Sequence, residues 1–172
     1  MITTSQPVIL QQTIYQITVP VMSDRATATM MEETKQQAAV LIRAQGYRVM
    51  LGQPRRAYLW FTDNERVACV EVRRSTNRPG SHRHQYNRYQ VPIKGHGQAH
   101  LLLMLTQAPN GLFYPFLIPM TEIGQRQNIA IWSESPADYG GQWAPYLNDW
   151  SQLTRALTDG MTARDWGLAA FK

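Results

Sequence analysis

The sequence predicts a single α/β domain in which a central mixed β-sheet is flanked by helices. Three observations lead to this prediction. An amphipathic segment near residues 24–45 has helical spacing, a series of short apolar runs follows between residues 47 and 132, and a second amphipathic segment over residues 143–157 closes the chain. The 172 residues fit one domain, which is large enough to fold without a disulfide or a structural metal.

The chain divides into an arm, a domain and a tail. Residues 1–22 alternate apolar and polar side chains and predict an extended N-terminal arm or edge strand. Residues 23–158 hold the predicted α/β domain, whose first helix is capped by Ser23 or Asp24 and stops at Gly46. Residues 159–172 are a C-terminal tail compatible with a short helix.

The predicted sheet is built around a hairpin with strands at residues 57–61 and 66–73. Its second strand is almost entirely apolar, which is typical of a strand covered on both faces. The polar segment 75–90 predicts a mobile loop, because it is rich in arginine and histidine and contains Pro-Gly. Further strands are predicted at residues 101–105, 112–119 and 128–132, with Pro115 indicating an edge or a bulge.

The charge distribution points to a polyanionic partner. The formal net charge is +5, 14 of the 17 basic residues are arginine, and no Asp or Glu occurs between Val72 and Thr121. A basic segment without compensating acids is typical of a nucleic-acid-binding surface, although an ordinary solvated basic face has the same composition. The residues predicted to contact nucleic acid are Arg73, Arg74, Arg78, Arg83, Tyr86, Arg88, Tyr89 and Lys94.

Composition also excludes several classes of protein. The lone cysteine, Cys69, lies in an apolar run, which excludes a disulfide framework and a multi-cysteine zinc module and fits a reducing compartment. No apolar stretch approaches the roughly 18 residues of a membrane helix, and no signal-peptide pattern is present. We therefore expect a cytoplasmic protein with no membrane partner.

Glu71 and Arg73 do not fit an ordinary buried strand. Side chains alternate along a strand, so these two residues share one face of it. A carboxylate and a guanidinium on a central strand are costly to bury unless they have a partner or a function. They form either a satisfied ion pair or part of a functional site.

At this point the sequence resembles a known family. The helix, the Gly-Tyr-Arg-Val segment, the hairpin and the sequence Val70-Glu71-Val72-Arg73-Arg74-Ser75 are similar to the PD-(D/E)XK nuclease superfamily, which has the restriction-endonuclease-like fold. The basic loop, two apolar strands and a final helix with Trp143, Tyr146 and Trp150 extend the resemblance over roughly residues 30–157.

The resemblance implies metal-dependent phosphodiester hydrolysis. In that family an Asp and a Glu hold Mg²⁺ and a Lys positions the attacking water. Glu71 matches the Glu and Arg73 occupies the Lys position, so both are candidate catalytic residues. The family's Asp is absent around residues 56–58, and Arg73 cannot act as a general base because a guanidinium stays protonated. If the enzyme is active, Asp63 or Glu33 would join Glu71 as a metal ligand.

Three functions remain open from the sequence. The first is a catalytically degenerate nuclease domain that binds nucleic acid, more readily DNA than RNA. The second is an active Mg²⁺-dependent endonuclease with a migrated carboxylate. The third is a protein-interaction subunit, in which the N-terminal arm pairs with a second copy or with another chain of a larger complex.

Overall fold

Seven strands in sequence of pairing make up most of the central β-sheet of the protein. The computed structural model describes residues 2–10, 13–21, 26–77 and 86–162. The strands are β1 (Ile2–Leu10), β2 (Thr13–Val21), β3 (Arg48–Leu51), β4 (Tyr58–Thr62), β5 (Arg66–Thr76), β6 (Asn87–Pro92), β7 (Leu101–Gln107), β8 (Phe113–Pro119), β9 (Asn128–Ser133) and β10 (Met161–Thr162). The helices are α1 (Ala26–Ala44), α2 (Met120–Ile123) and α3 (Ser151–Thr158), with 3-10 turns at Pro136–Asp138 and Ala144–Tyr146.

The strand order of the main sheet is β2-β1-β8-β7-β5-β4-β3, with β10 paired to β5. The β5–β7 pair is parallel, the β1–β8 contact is parallel through one residue pair, and the other neighbours are antiparallel. Strands β6 and β9 form a separate two-stranded ribbon. The predicted single α/β domain with a mixed central sheet is therefore confirmed.

Each face of the sheet has its own apolar core. On one face, here called the helix face, α1 and α3 pack against alternate residues of β5 that include Ala68, Val70 and Val72. On the other, here called the ribbon face, β6 and β9 pack against Leu102 and Met104 of β7. Glu71 and Arg73 lie on the ribbon face, because they alternate with the valines of the helix face.

The predicted loop over residues 75–90 is shorter than the sequence indicated. Strand β5 continues to Thr76, paired with β7 as far as Gln107, and β6 begins at Asn87. The side chains at these positions are polar, so the local sequence does not indicate strands. The strands form because β5 pairs with β7 and β6 pairs with β9, which are distant in sequence. Residues 78–85 lie outside the described residues.

The predicted helix over residues 143–157 is wrong in its first half. A 3-10 turn containing Pro145 is followed by Asn148 in the left-handed region (φ 54°), and α3 begins only at Ser151. Trp143 consequently packs on the ribbon face and Trp150 on the helix face, so they do not share a helix.

Both chain ends add strands to the sheet. Strands β1 and β2 pair along their whole length within the predicted arm, and β1 contacts β8 through Val8 and Phe113. In the predicted tail, Met161 and Thr162 pair with the start of β5, where a short helix was expected. No helix in the described part of the chain is long and apolar enough to cross a membrane.

Candidate nucleic-acid interface

Glu71 is a fully buried carboxylate (0% exposed) whose two oxygens are both engaged by the protein itself. Arg73 donates from Nε to Oε1 at 2.7 Å, and its terminal nitrogen pairs with the same oxygen. The backbone N–H of Lys94 donates to both oxygens at 3.0 and 3.2 Å, and that of Gly95 donates to Oε2 at 2.6 Å. Glu71 therefore anchors the segment that follows β6.

Polar side chains on the ribbon face of β5 hold β6 and its continuation against the sheet. The Ser75 hydroxyl accepts from the Gln90 N–H at 2.9 Å and donates to the Gln90 carbonyl at 3.2 Å. Four residues earlier on β5, Glu71 holds Lys94 and Gly95. Only glycine fits at position 95, since a Cβ there would lie 2.5 Å from Glu71 Oε2.

Tyr58 lies directly across β4 and β5 from Glu71, in the region where the family resemblance expects an aspartate. Its hydroxyl donates to the Lys94 carbonyl at 3.0 Å, so Tyr58 and Glu71 hold the same segment. Burial, with a contribution from the negative charge of Glu71, raises the pKa of Tyr58 above its usual value. An uncharged phenol thus stands where a metal-binding carboxylate was expected.

The structure does not bring the three predicted metal ligands together. Asp63 caps the β4–β5 turn by accepting from the N–H groups of Glu65 and Arg66. It follows Tyr58 by five residues, which is about 16 Å along a strand. Glu33 belongs to α1 on the helix face, where its charge acts on Arg74.

The donor set around Glu71 does not fit Mg²⁺. Both of its oxygens already accept hydrogen bonds from cationic or amide donors, and Mg²⁺ needs carboxylate oxygens that are free to ligate. Among the described residues no group of three His, Cys, Asp or Glu side chains could hold a metal ion.

Arg73 and Arg74 point to opposite faces of β5, so they cannot line one binding surface. Arg73 is committed to Glu71, with its side chain 12% exposed. Arg74 donates to Gln107 Oε1 at 2.6 Å and lies over the Phe113 ring on the helix face. Both were predicted to contact phosphates at the end of the strand and in the loop that follows, whereas β5 stays paired with β7 as far as Thr76.

The other predicted contact residues fall into three groups. Tyr89 is fully buried in the ribbon-face core, so it cannot stack on a base. Tyr86 is 52% exposed, Lys94 is exposed, and Arg88 is half-buried with its guanidinium 5.2 Å from the centre of the Trp132 ring. Arg78 and Arg83 lie outside the described residues.

Trp132 is an exposed aromatic that the sequence reasoning missed. It is 43% exposed and pairs across the ribbon with Arg88, on the outward face of β6 and β9. The period-2 pattern of Asn128–Ser133 could have revealed it, since Ile129 and Ile131 point inward and leave position 132 outward.

Cys69 should be chemically inert in the folded protein. Burial, followed by the nearby charge of Glu71, raises the pKa of the Cys69 thiol to about 12. We expect alkylation by iodoacetamide at pH 8 to be roughly a thousandfold slower than in urea-unfolded protein, because the thiolate is scarce. Because the pKa is raised, the reactivity of the native thiol should keep rising about tenfold per pH unit up to about pH 12, whereas that of the unfolded protein levels off above about pH 9. Mass spectrometry measures the rate, and fast labelling of native protein at pH 8 would contradict the buried position.

Comparisons with known proteins support the fold. No protein-family profile matches the chain, and no curated protein is significantly similar to it. Among solved structures, the chain is similar to a bacterial homing endonuclease, I-Ssp6803I, with a TM-score of 0.57 and 13% sequence identity. The match covers 76% of this chain and 95% of the endonuclease. The α/β domain therefore shares its architecture with a nuclease, and this architecture is compatible with the restriction-endonuclease-like fold.

Proposed function

We propose that this chain is a nucleic-acid-binding domain derived from the restriction-endonuclease-like fold that no longer cleaves its ligand. The observation that carries the proposal is the environment of Glu71. A carboxylate occupied by Arg73 and by two backbone N–H groups, opposite a tyrosine, serves as a structural anchor. This environment favours a catalytically degenerate nuclease domain over an active enzyme in which Glu33 or Asp63 is a migrated metal ligand.

The binding surface in this proposal is the outward side of the ribbon and the segments at its two ends. It comprises the Arg88–Trp132 pair, the exposed Tyr86 at one end and Lys94 at the other, with Arg78 and Arg83 in the neighbouring basic segment. Cations would contact phosphates, and Trp132 and Tyr86 offer aromatic faces to the sugar and bases. No acid occurs from Val72 to Thr121, so β6 and the segment after it carry no carboxylate, and the exposed Glu134 follows β9 at the Tyr86 end of this surface.

The test compares ribbon-side and helix-side charge removal. We expect Arg88→Ala combined with Lys94→Ala to weaken binding to labelled duplex DNA and to reduce the slope of log Kd against log salt by about 0.9 per lost phosphate contact. Arg43→Ala is the matched control, because Arg43 is exposed on α1, which covers the helix face. Fluorescence anisotropy over a salt series measures both quantities, and duplex RNA tests the preference for DNA.

The same samples test the loss of cleavage. After incubation with Mg²⁺ or EDTA, denaturing gels should show intact strands under both conditions. Mg²⁺-dependent cleavage that survives purification controls would restore the endonuclease alternative. Absence of binding to any nucleic acid at low salt would refute the proposal and leave the protein-interaction function. Light scattering would then compare the oligomeric state of the protein with and without residues 1–22.

A further inference from the structure

An open cleft beside the buried Glu71 shares Lys94 with the proposed ribbon surface, and its other lining residues are not part of that surface. It has a volume of about 500 Å³ and is lined by Gln53, Arg56, Tyr58, Trp60, Lys94 and Gln98. Tyr58 and Trp60 belong to one face of β4, and a second depression of about 330 Å³ shares Trp60 and Gln98 with the first. Both lie on the side of β4 and β5 that faces away from α1.

A buried lysine fixes the first wall of this cleft. Lys35 of α1 is fully buried and donates to the carbonyls of Gly52 and Gln53 at 3.3 and 3.0 Å. Its ammonium also pairs with Glu32 at 2.8 Å, and Glu32 accepts from the N–H of Arg55 at 3.1 Å. These contacts hold the β3–β4 connection, which carries Gln53 and Arg56 into the cleft.

A buried carboxylate fixes the second wall. Glu71 and the Tyr58 hydroxyl hold the backbone of Lys94, and the Gly95 carbonyl accepts from the N–H groups of Gln98 and Ala99. The segment that carries Lys94 and Gln98 thereby lines the cleft together with Gln53 and Arg56. Both walls are thus preorganised, which reduces the entropy cost of ordering them around a ligand.

The chemistry of the lining selects a particular ligand. Arg56 and Lys94 are exposed cations, and the described residues that line the cleft include no carboxylate, so an anion is favoured. Tyr58 and Trp60 supply ring surfaces for stacking, and Gln53 and Gln98 supply donors and acceptors suited to base edges. The volume lies within the range of small-ligand sites. We propose that this cleft binds one unpaired nucleotide of a nucleic acid, with its base against Trp60 and its phosphate between Arg56 and Lys94.

This inference rests on the proposed function but is tested separately from it. The probes are a blunt DNA duplex and the same duplex with a short single-stranded extension containing 2-aminopurine, whose emission falls on stacking. We expect the extension to tighten binding roughly tenfold and to quench the 2-aminopurine signal. Trp60→Leu should remove both effects and leave binding of the blunt duplex in place.

Two further variants keep the test decisive. Arg56→Ala changes an exposed side chain and should reduce the preference for the extension even if Trp60→Leu does not fold. Trp132→Leu should weaken both probes to a similar degree, because Trp132 belongs to the ribbon surface. Circular dichroism confirms that each variant is folded.

The outcomes separate the two proposals. Binding of the blunt duplex with no preference for the extension would overturn the cleft inference and leave the proposed function standing. If neither probe binds, the proposed function fails, and titration with free dAMP followed by ligand-observed NMR tests the cleft itself. Binding of dAMP that Trp60→Leu removes would assign the cleft to a free nucleotide, whereas no dAMP binding would overturn the inference.

Discussion

Glu71→Ala should lower the free energy of unfolding by about 3 kcal/mol, and by the same amount in Mg²⁺ and in EDTA. The substitution leaves the Arg73 guanidinium largely buried without its anion and frees the N–H groups of Lys94 and Gly95. Removing one partner of a buried, hydrogen-bonded pair is costly because the other partner keeps its desolvation penalty. Urea denaturation followed by tryptophan fluorescence measures the change.

The sign of this effect distinguishes a structural anchor from a metal ligand. Carboxylates gathered for a metal repel one another when the metal is absent, so removing one of them stabilises the metal-free protein. The double variant Glu71→Ala with Arg73→Ala should recover part of the loss, as a double-mutant cycle would show. Glu122→Ala on the short helix α2, where Glu122 is exposed, is the control and should change stability by less than about 0.5 kcal/mol. Unchanged or increased stability of Glu71→Ala in EDTA would contradict the anchoring role.

The sequence predicts the fold well where the signal is local. The apolar run in β5 and the alternation of Glu71 with its neighbouring valines correctly predict a strand covered on both faces. Strand β6 escaped detection because its inward residues, Tyr89 and Val91, are separated by polar positions in an arginine-rich stretch. A high arginine content indicates a surface, yet every second residue of such a ribbon can be buried.

The candidate site is less predictable because its contacts join distant parts of the chain. That Glu71 is costly to bury follows from the sequence alone. The sequence does not show that the backbone N–H groups of residues 94 and 95 occupy the Glu71 oxygens. Those hydrogen bonds depend on how β6 crosses β5, and no local pattern encodes that crossing. Arg73 and Arg74 are both predicted to contact phosphates, but β5 stays paired to Thr76 and places their side chains on opposite faces.

Two buried charges of opposite sign hold the two walls of the cleft from opposite faces of the sheet. Lys35 reaches the β3–β4 connection from α1 on the helix face, and Glu71 holds the segment after β6 from the ribbon face. Burying either charge is unfavourable by itself, so neither is explained by core packing alone. Their shared consequence is a fixed cleft that carries exposed cations at its mouth.

The second large effect is therefore expected at Lys35. Lys35→Met should lower the free energy of unfolding by about 2 kcal/mol, less than Glu71→Ala, because Met refills most of the apolar volume of the lysine stem. The variant removes the lysine donor from the carbonyls of Gly52 and Gln53, leaves the Gln53 carbonyl only the Arg56 N–H, and releases the wall that carries Arg56. Amide hydrogen exchange should speed up over residues 52–56, and the preference for the single-stranded extension should fall with no change in binding to the blunt duplex.

Glu32→Gln is the matched control for this prediction. It removes the charge of the exposed member of the Lys35 pair and keeps both carbonyl contacts of the ammonium, so its cost should stay below about 1 kcal/mol. Faster exchange confined to residues 52–56 in Lys35→Met, with slow exchange there in Glu32→Gln, would separate wall anchoring from simple charge removal. Equal protection of the wall in wild type and Lys35→Met would show that the cleft is fixed by other contacts. The buried lysine would then have no role in shaping it.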